Sequence, residues 1–375
     1  MKSLHDMDVR GKKVLLRTSL NVPIASDGTV GDIFRLKRAL PTLEYLIEQK
    51  AKIILVGYLG REGATLAPVA TALQELVPQT KIMFSTTALA DIAPEVEALS
   101  EGECLMVENI RREEGEEKND PALAQTLASL ADVFVDDAFA EAHRAYASNV
   151  GVATLLPSCA GFLFEEEVHR LCEALRPPQG ALAIIGGAKF ETKEPLLQKL
   201  LELYETLLVG GALADDILKS RGTPIANSLV SDMPVPVAIA ESTKILVPID
   251  AQVENETTHE KRVILTNSIL QHEAIIDIGP RTQESWGEHI KTAAFVIWNG
   301  PMGIYEQGSV AGTDAIAQAL VDAGIPAVIG GGDTAAALAK FMFDPKKIFI
   351  STGGGAMLEF LTHGTLPAIE ALAKN

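Results

Sequence analysis

Almost every strongly apolar run in this chain lacks polar alternation, and between such runs the hydrophobic period becomes that of a helix. "KKVLLR", "AKIILVGYLG", "KIMFS", "CLMVEN" and "DVFVDDAF" are rich in Val, Ile and Leu and short enough for strands. "RLKRALPTLEYLIEQK", "LAPVATALQELV" and "DPALAQTLASL" lie between them with helical spacing. The second half repeats the scheme with "ALAIIGG", "ETLLVGG", "KILVPID", "AAFVIWNG", "PAVIGGG" and "KIFISTGGG". Strands with no polar face must be covered on both sides, and alternation with helices makes them parallel. The pattern predicts an α/β fold of two Rossmann-like lobes in tandem, each a mainly parallel sheet with helices on both faces. A length of 375 residues agrees with two domains.

Hydrophobic residues make up 47% of the chain, which excludes a disordered protein. No apolar run reaches the roughly 18 residues that a membrane helix needs, and "MKSLHDMDVRGKK" lacks the apolar segment of a signal peptide. Cys104, Cys159 and Cys172 have no metal-ligand spacing, so buried free thiols in a reducing cytoplasm are expected. The net charge of −18 argues against a nucleic-acid binder, though a pocket can be basic on an acidic protein.

The strand ends differ between the halves. In the second half nearly every strand runs into glycine: Gly186-Gly187, Gly210-Gly211, Asn299-Gly300-Pro301, Gly330 to Asp333, and Gly353 to Gly355. Ligands of open parallel sheets lie beyond the carboxyl ends of the strands. Glycines there let backbone N–H groups approach phosphate, and helix N-termini add favourable partial charge. A nucleotide or polyphosphate site follows. The first half instead places Arg17, Arg61, Arg111 and Arg144 near its strand ends, with Arg35 opening a helix. Guanidinium groups facing one crevice would hold a small phosphate or carboxylate. Asp333 is read either as a helix N-cap or as a Mg²⁺ ligand beside a triphosphate. Asp136, Asp137, Glu141 and His143 cluster without a clear metal-ligand spacing. The amphipathic run from about Ala160 to Leu175 is either an ordinary helix or a stiff connection between lobes.

One stretch, "AIIGGAKFETKEPLL", carries Lys189 and Lys193 after a Gly-Gly turn, yet matches neither common phosphate-loop pattern. With "RTSLNVP", "RLKRALPTLEYL", "GYLGR", "ENIRREEGEEKND", "DDAFAEAHRAYAS", "AGFLFEEE", "WNGPMGIYE", "IGGGDT" and "STGGGAMLEFL", it resembles the phosphoglycerate kinases over essentially the whole chain. The resemblance implies a cytoplasmic monomer that transfers a phosphoryl group between 1,3-bisphosphoglycerate and ADP, with Mg²⁺, giving 3-phosphoglycerate and ATP. It implies an acceptor lobe over 1–158, a connecting helix over 159–175, a nucleotide lobe over 176–355, and residues 356–375 packing back on the first lobe. Ser19, Asn21, Arg35, Tyr58, Arg61, Arg111 and Arg144 then fall at the acceptor. Gly187, Ala188, Lys189, Lys193, Gly211, Asn299, Pro301, Glu306, Gly331, Gly332, Asp333 and Thr334 fall at the nucleotide, with Asp333 toward Mg²⁺. Arg35, Lys189, Gly332 and Gly355 would stabilise the phosphoryl group in flight, without a phosphoenzyme and after closure of the lobes.

The acceptor half departs from the family pattern. R-x-D-F-N-x-P has Ser19 and Leu20 in place of Asp and Phe, and S-H-L-G-R-P has Tyr58 in place of His. N-D-A-F-G-T-A-H-R-A-H becomes "DDAFAEAHRAY", and the segment from Ser228 to Lys244 is short. Hydroxyls can still bond a substrate hydroxyl or carboxylate, so an active kinase with an adapted acceptor site is expected. A kinase of this fold for another small carboxylate, and a nucleotide-binding relative without catalysis, are the alternatives.

Overall fold

The computed structural model describes residues 1–60, 64–188 and 190–374. They divide into two units, Met1–His169 with Thr365–Asn375, and Arg170–Gly364.

The first unit holds β1 (Lys13–Thr18), β2 (Lys52–Val56), β3 (Ile82–Ser85), β4 (Cys104–Val107), β5 (Val133–Asp137) and β6 (Ser158–Ala160). They form one parallel sheet in the order β3-β4-β2-β1-β5-β6. The chain runs outward from β1 through β2 and returns to β5 on the other side, which leaves a crevice beyond the carboxyl ends of β1 and β5. Arg17 pairs with Val56 and with Asp136, so β2, β1 and β5 end level and their loops emerge together. The helix Phe34–Glu48 buries Leu36, Leu43 and Leu46 on one face and leaves Pro41 exposed, where its missing N–H costs least. Each such leucine contributes roughly 2 kcal/mol relative to exposure. Leu16, Ile53, Leu55, Val69, Met106 and Val135 continue the same core.

The second unit has β7 (Leu182–Ile185), β8 (Thr206–Val209), β9 (Ile245–Leu246), β10 (Asp250–Asn255), β11 (Lys261–Leu265), β12 (Glu273–Ile278), β13 (Val296–Asn299), β14 (Ala327–Gly330) and β15 (Ile348–Ile350). Six of these make a parallel sheet, β15-β14-β13-β7-β8-β9, around a core that includes Trp298 and Trp286. The other three form an antiparallel sheet, β11-β10-β12, which the repeating strand–helix reading does not contain. The run "KILVPID", expected as one strand, is split between the two sheets around Pro248, which has no N–H to donate to a ladder. In the short segment 228–244 the helical residues are Val237–Ala240.

The amphipathic run is a helix, Phe162–Ala174, and the division between the units falls within it. Asp137 caps its start, accepting from the Leu163 and Phe164 amides at 2.9 and 3.2 Å. The return to the first unit begins at Thr365 rather than at 356. The helix Gly354–His363 remains in the second unit, packed on the helix Phe190–Leu203. Gly364, at φ 76°, ends it and redirects the chain. Leu366, Ala368, Ala371 and Leu372 are then buried in the first unit, and the Ala368 amide donates to Ala142 O at 3.1 Å. Cys104 and Cys159 are buried thiols as expected, but Cys172 is exposed on the helix surface. Among the described residues no helix is long and apolar enough to cross a membrane.

Candidate active site

The carboxyl ends of β7, β8, β13, β14 and β15 surround a cleft of about 720 Å³ in the second unit. Gly187, Ala188, Lys193 and Gly211 line it from one side. Asn299, Pro301 and Glu306 line it after β13, and Gly331, Gly332, Asp333, Thr334 and Gly355 line it at two helix starts. Every described residue expected at a nucleotide thus lies on one cavity. Lys189 falls outside the described residues.

The glycines serve two purposes there. A Cβ on Gly186 would sit 2.1 Å from Pro301 O, and one on Gly300 would sit 2.2 Å from Gly186 O. These two let the ends of β7 and β13 touch. The amides of Gly187 and Gly211 donate to Pro301 O and Met302 O at 2.9 and 3.2 Å, so they hold the turn rather than await a ligand. By contrast the helices Gly332–Leu338 and Gly354–His363 start at Gly331 and Gly353 with no side chain capping their first amides. Those amides are the orphan donors of a helix N-terminus.

Asp333 lies inside the first turn, and the N-cap is Gly331, so the capping role is ruled out by position. Its exposed carboxylate acts electrostatically on Lys193. The Lys193 ammonium is buried and donates to Gly186 O. Burial pulls its pKa down to about 8, with Asp333 opposing. Asn299 is 3% exposed, and its Nδ2 has no hydrogen-bond partner among the described residues. Thr334 is fully buried and accepts from the Gly300 amide at 2.9 Å, tying the end of β13 to the helix that carries Asp333. Leu218, Leu229, Ile275 and Ile276 add apolar lining to the cleft, with Asp215 and Asp277 also on its wall. Ile275 and Ile276 belong to β12, so sequence periodicity alone missed that wall.

In the first unit the arginines join a network. Arg35 Nη1 donates to Asn21 O at 2.6 Å, and Asn21 Oδ1 accepts from the Gly60 amide at 2.9 Å. Arg111 donates to Gly60 O at 2.9 Å and stacks 3.7 Å over the Tyr58 ring. Glu117 pairs with Arg111 at 3.3 Å and accepts from Tyr146, whose hydroxyl accepts from Arg144 at 2.8 Å. Asn21 Nδ2 donates to the Tyr58 hydroxyl at 3.4 Å. Arg61 falls outside the described residues. Ser19 donates to Glu141 at 2.9 Å, and Arg17, paired with the same carboxylate at 3.2 Å, lies beneath. Burial pulls the Arg17 guanidinium down, but Glu141, Asp136 and Glu116 more than offset it. Asp136 is pushed up to about 6 and Asp137 to about 8, both by burial. Among the described residues no three His, Cys, Asp or Glu side chains converge as a metal site, and within the cluster 136–143 Asp137 serves as a helix cap.

The family model described as phosphoglycerate kinase matches residues 4–364. The chain belongs to the phosphoglycerate kinase family. The solved phosphoglycerate kinase of Coxiella burnetii is 35% identical, with a TM-score of 0.85, covering 100% of this chain and 98% of that one. That of Pyrococcus horikoshii is 30% identical, with a TM-score of 0.87 and the same coverage. This phosphoglycerate kinase fold makes the chain a phosphotransferase. Glu141 is the residue that sequence reasoning undervalued. Its signal was a carboxylate in a motif position that departs from the phosphoglycerate kinase pattern.

Proposed function

We propose that the chain transfers a phosphoryl group directly and reversibly between MgATP and the carboxylate of 3-phosphoglycerate, as a cytoplasmic monomer. The observation that carries this reading is the cleft of the second unit, where all the described nucleotide-motif residues meet an apolar wall suited to a flat base. The base would lie against Leu218, Leu229, Ile275 and Ile276. The phosphates would lie over the amides at Gly332 and Gly355, with Lys193 and Asn299 Nδ2 as further donors. An acidic protein with net charge −18 fits small-molecule work better than nucleic acid.

Asp333 suits Mg²⁺, since its exposed carboxylate is a hard oxygen donor beside the uncapped helix start and Mg²⁺ needs only one or two carboxylates beside phosphate oxygens. The ion, when bound, would neutralise the phosphate oxygens. In the first unit Arg35, Arg111, Arg144 and Arg61 would hold the acceptor's phosphate and carboxylate. Lys189 and Arg35 would balance charge on the moving group. Asn21 fixes Arg35 by accepting from it.

A coupled assay of 3-phosphoglycerate with MgATP tests the reading, with Lys189→Ala as control. Turnover should be clear in the wild type and fall at least about a hundredfold in the variant, with MgADP affinity within a few-fold. Normal turnover in the variant would remove Lys189 from the chemistry. A folded wild-type protein that binds MgADP and never turns over would overturn the kinase reading.

A further inference from the structure

Ser19, Tyr58 and Glu141 depart from the family pattern separately in sequence, yet meet at one point. Glu141 follows β5 in the turn Phe139–Glu141 and is only 3% exposed. Its Oε2 accepts from Ser19 Oγ at 2.9 Å and from Arg17 Nη1 at 3.2 Å. Arg17 is held from its other side, donating through Nε to Ser148 Oγ at 2.9 Å, and Ser148 in turn donates to Glu116. The carboxylate is therefore fixed on a buried guanidinium, and the serine hydrogen is directed at it. Burial pushes the Tyr58 phenol up to about 12, with Glu141 adding to the shift, so this hydroxyl stays neutral. It accepts from Asn21 as described above.

A carboxylate offers only acceptors, whereas a hydroxyl can either donate or accept. With its one hydrogen spent on Glu141, Ser19, itself only 2% exposed, keeps only lone pairs for a ligand hydroxyl. We infer that Glu141 is a positioning residue for the acceptor: by holding the Ser19 hydrogen inward it makes Ser19 accept from a ligand hydroxyl, selecting a 2-hydroxy acid phosphate over one without that hydroxyl. The inference rests on 3-phosphoglycerate being the acceptor. It also gives the exchange of residues at 19 and 141 a single cause, since the carboxylate enters the site from the turn after β5 instead of from the end of β1.

A purely structural Glu141, serving only to balance buried Arg17, gives different results in one experiment. Steady-state kinetics are measured with 3-phosphoglycerate and with 3-phosphopropionate, its analogue lacking the hydroxyl, each varied at fixed MgATP, and with MgATP varied in a separate series. The wild type should favour the hydroxy acid in kcat/KM by at least about tenfold, the size of one well-made hydrogen bond. Glu141→Leu removes the acceptor, so the Ser19 hydrogen is no longer held inward. The variant should raise the KM for 3-phosphoglycerate about tenfold and bring the preference near one, while kcat and the KM for MgATP move less than about threefold. Ser19→Ala keeps the Arg17–Glu141 pair and should lose the same preference, so the test survives a Leu variant that folds poorly. The exchange Ser19→Asp with Glu141→Thr returns a carboxylate beside Arg17 and should restore the preference. An unchanged preference in Glu141→Leu and Ser19→Ala overturns the inference, and so does an exchange variant as indifferent as Ser19→Ala. A wild type without turnover on 3-phosphoglycerate overturns the acceptor reading itself, a result distinct from either.

Discussion

Lys193 is 9% exposed, its ammonium held against Gly186 O with Asp333 as the opposing charge. A lysine with a pKa near 8 instead of 10.5 is neutral in part above pH 8. The folded state then binds fewer protons than the unfolded one, so its stability cost is present in full below about pH 8 and is relieved as pH rises toward 10.5. A polyphosphate favours the charged form. Binding of MgADP should therefore take up a proton above pH 8, and its affinity should fall as pH rises, by up to about tenfold per unit. Titration calorimetry from pH 7 to 9.5 checks this, and Lys193→Met should bind more weakly with a flatter profile. Parallel profiles in the two proteins would place the ammonium out of reach of the phosphates. That a lysine stands here was legible from the motif. Its burial was not, because the atoms that desolvate it come from other strand ends.

At the scale of elements, the glycine-ended strands were legible as a phosphate-binding pattern, and the structure divides them by function. Gly300 has φ 92°, and a Cβ there would lie 2.2 Å from Gly186 O and 2.7 Å from the Lys193 ammonium. Its carbonyl also accepts from Trp298 Nε1 at 2.8 Å. Gly300→Ala should destabilise the second unit by at least about 3 kcal/mol, from backbone strain plus overlap. Gly332 has an ordinary φ and nothing within 4 Å of the same position. Gly332→Ala should change stability by less than about 1 kcal/mol, yet weaken MgADP, because the methyl group enters the cleft. Urea denaturation followed by tryptophan fluorescence, with an MgADP titration beside it, separates the two. Equal stability losses would show that both glycines serve packing.

For the whole molecule, the return of the chain at Thr365 carries a consequence. Both tryptophans, Trp286 and Trp298, lie in the second unit, whereas helices and strands of both units contribute to far-ultraviolet circular dichroism. Deleting residues 365–375 would uncover the surface under Leu366, Ala368, Ala371 and Leu372 and remove the bond to Ala142 O. The dichroism transition should move to lower denaturant by several kcal/mol of stability, given roughly 2 kcal/mol for each buried leucine. The fluorescence transition should stay near its wild-type midpoint. A coincident shift of both would mean that the two units unfold as one cooperative system.

Local periodicity was enough to determine two parallel sheets, because a strand covered on both faces must be apolar at every position. Strand ends then marked the ligand side, since chain polarity puts all of them on one edge. Tertiary structure alone decided the rest. The antiparallel sheet β11-β10-β12 supplies a wall of the second unit's cleft through residues whose periodicity says nothing of their partner. Asp333 became an exposed carboxylate rather than a cap because the helix begins at Gly332. Ser19 and Glu141 are 122 positions apart and 2.9 Å apart in space. A hydrogen bond across such a separation leaves no local signal, because the geometry that makes it comes from the register of β1 against β5.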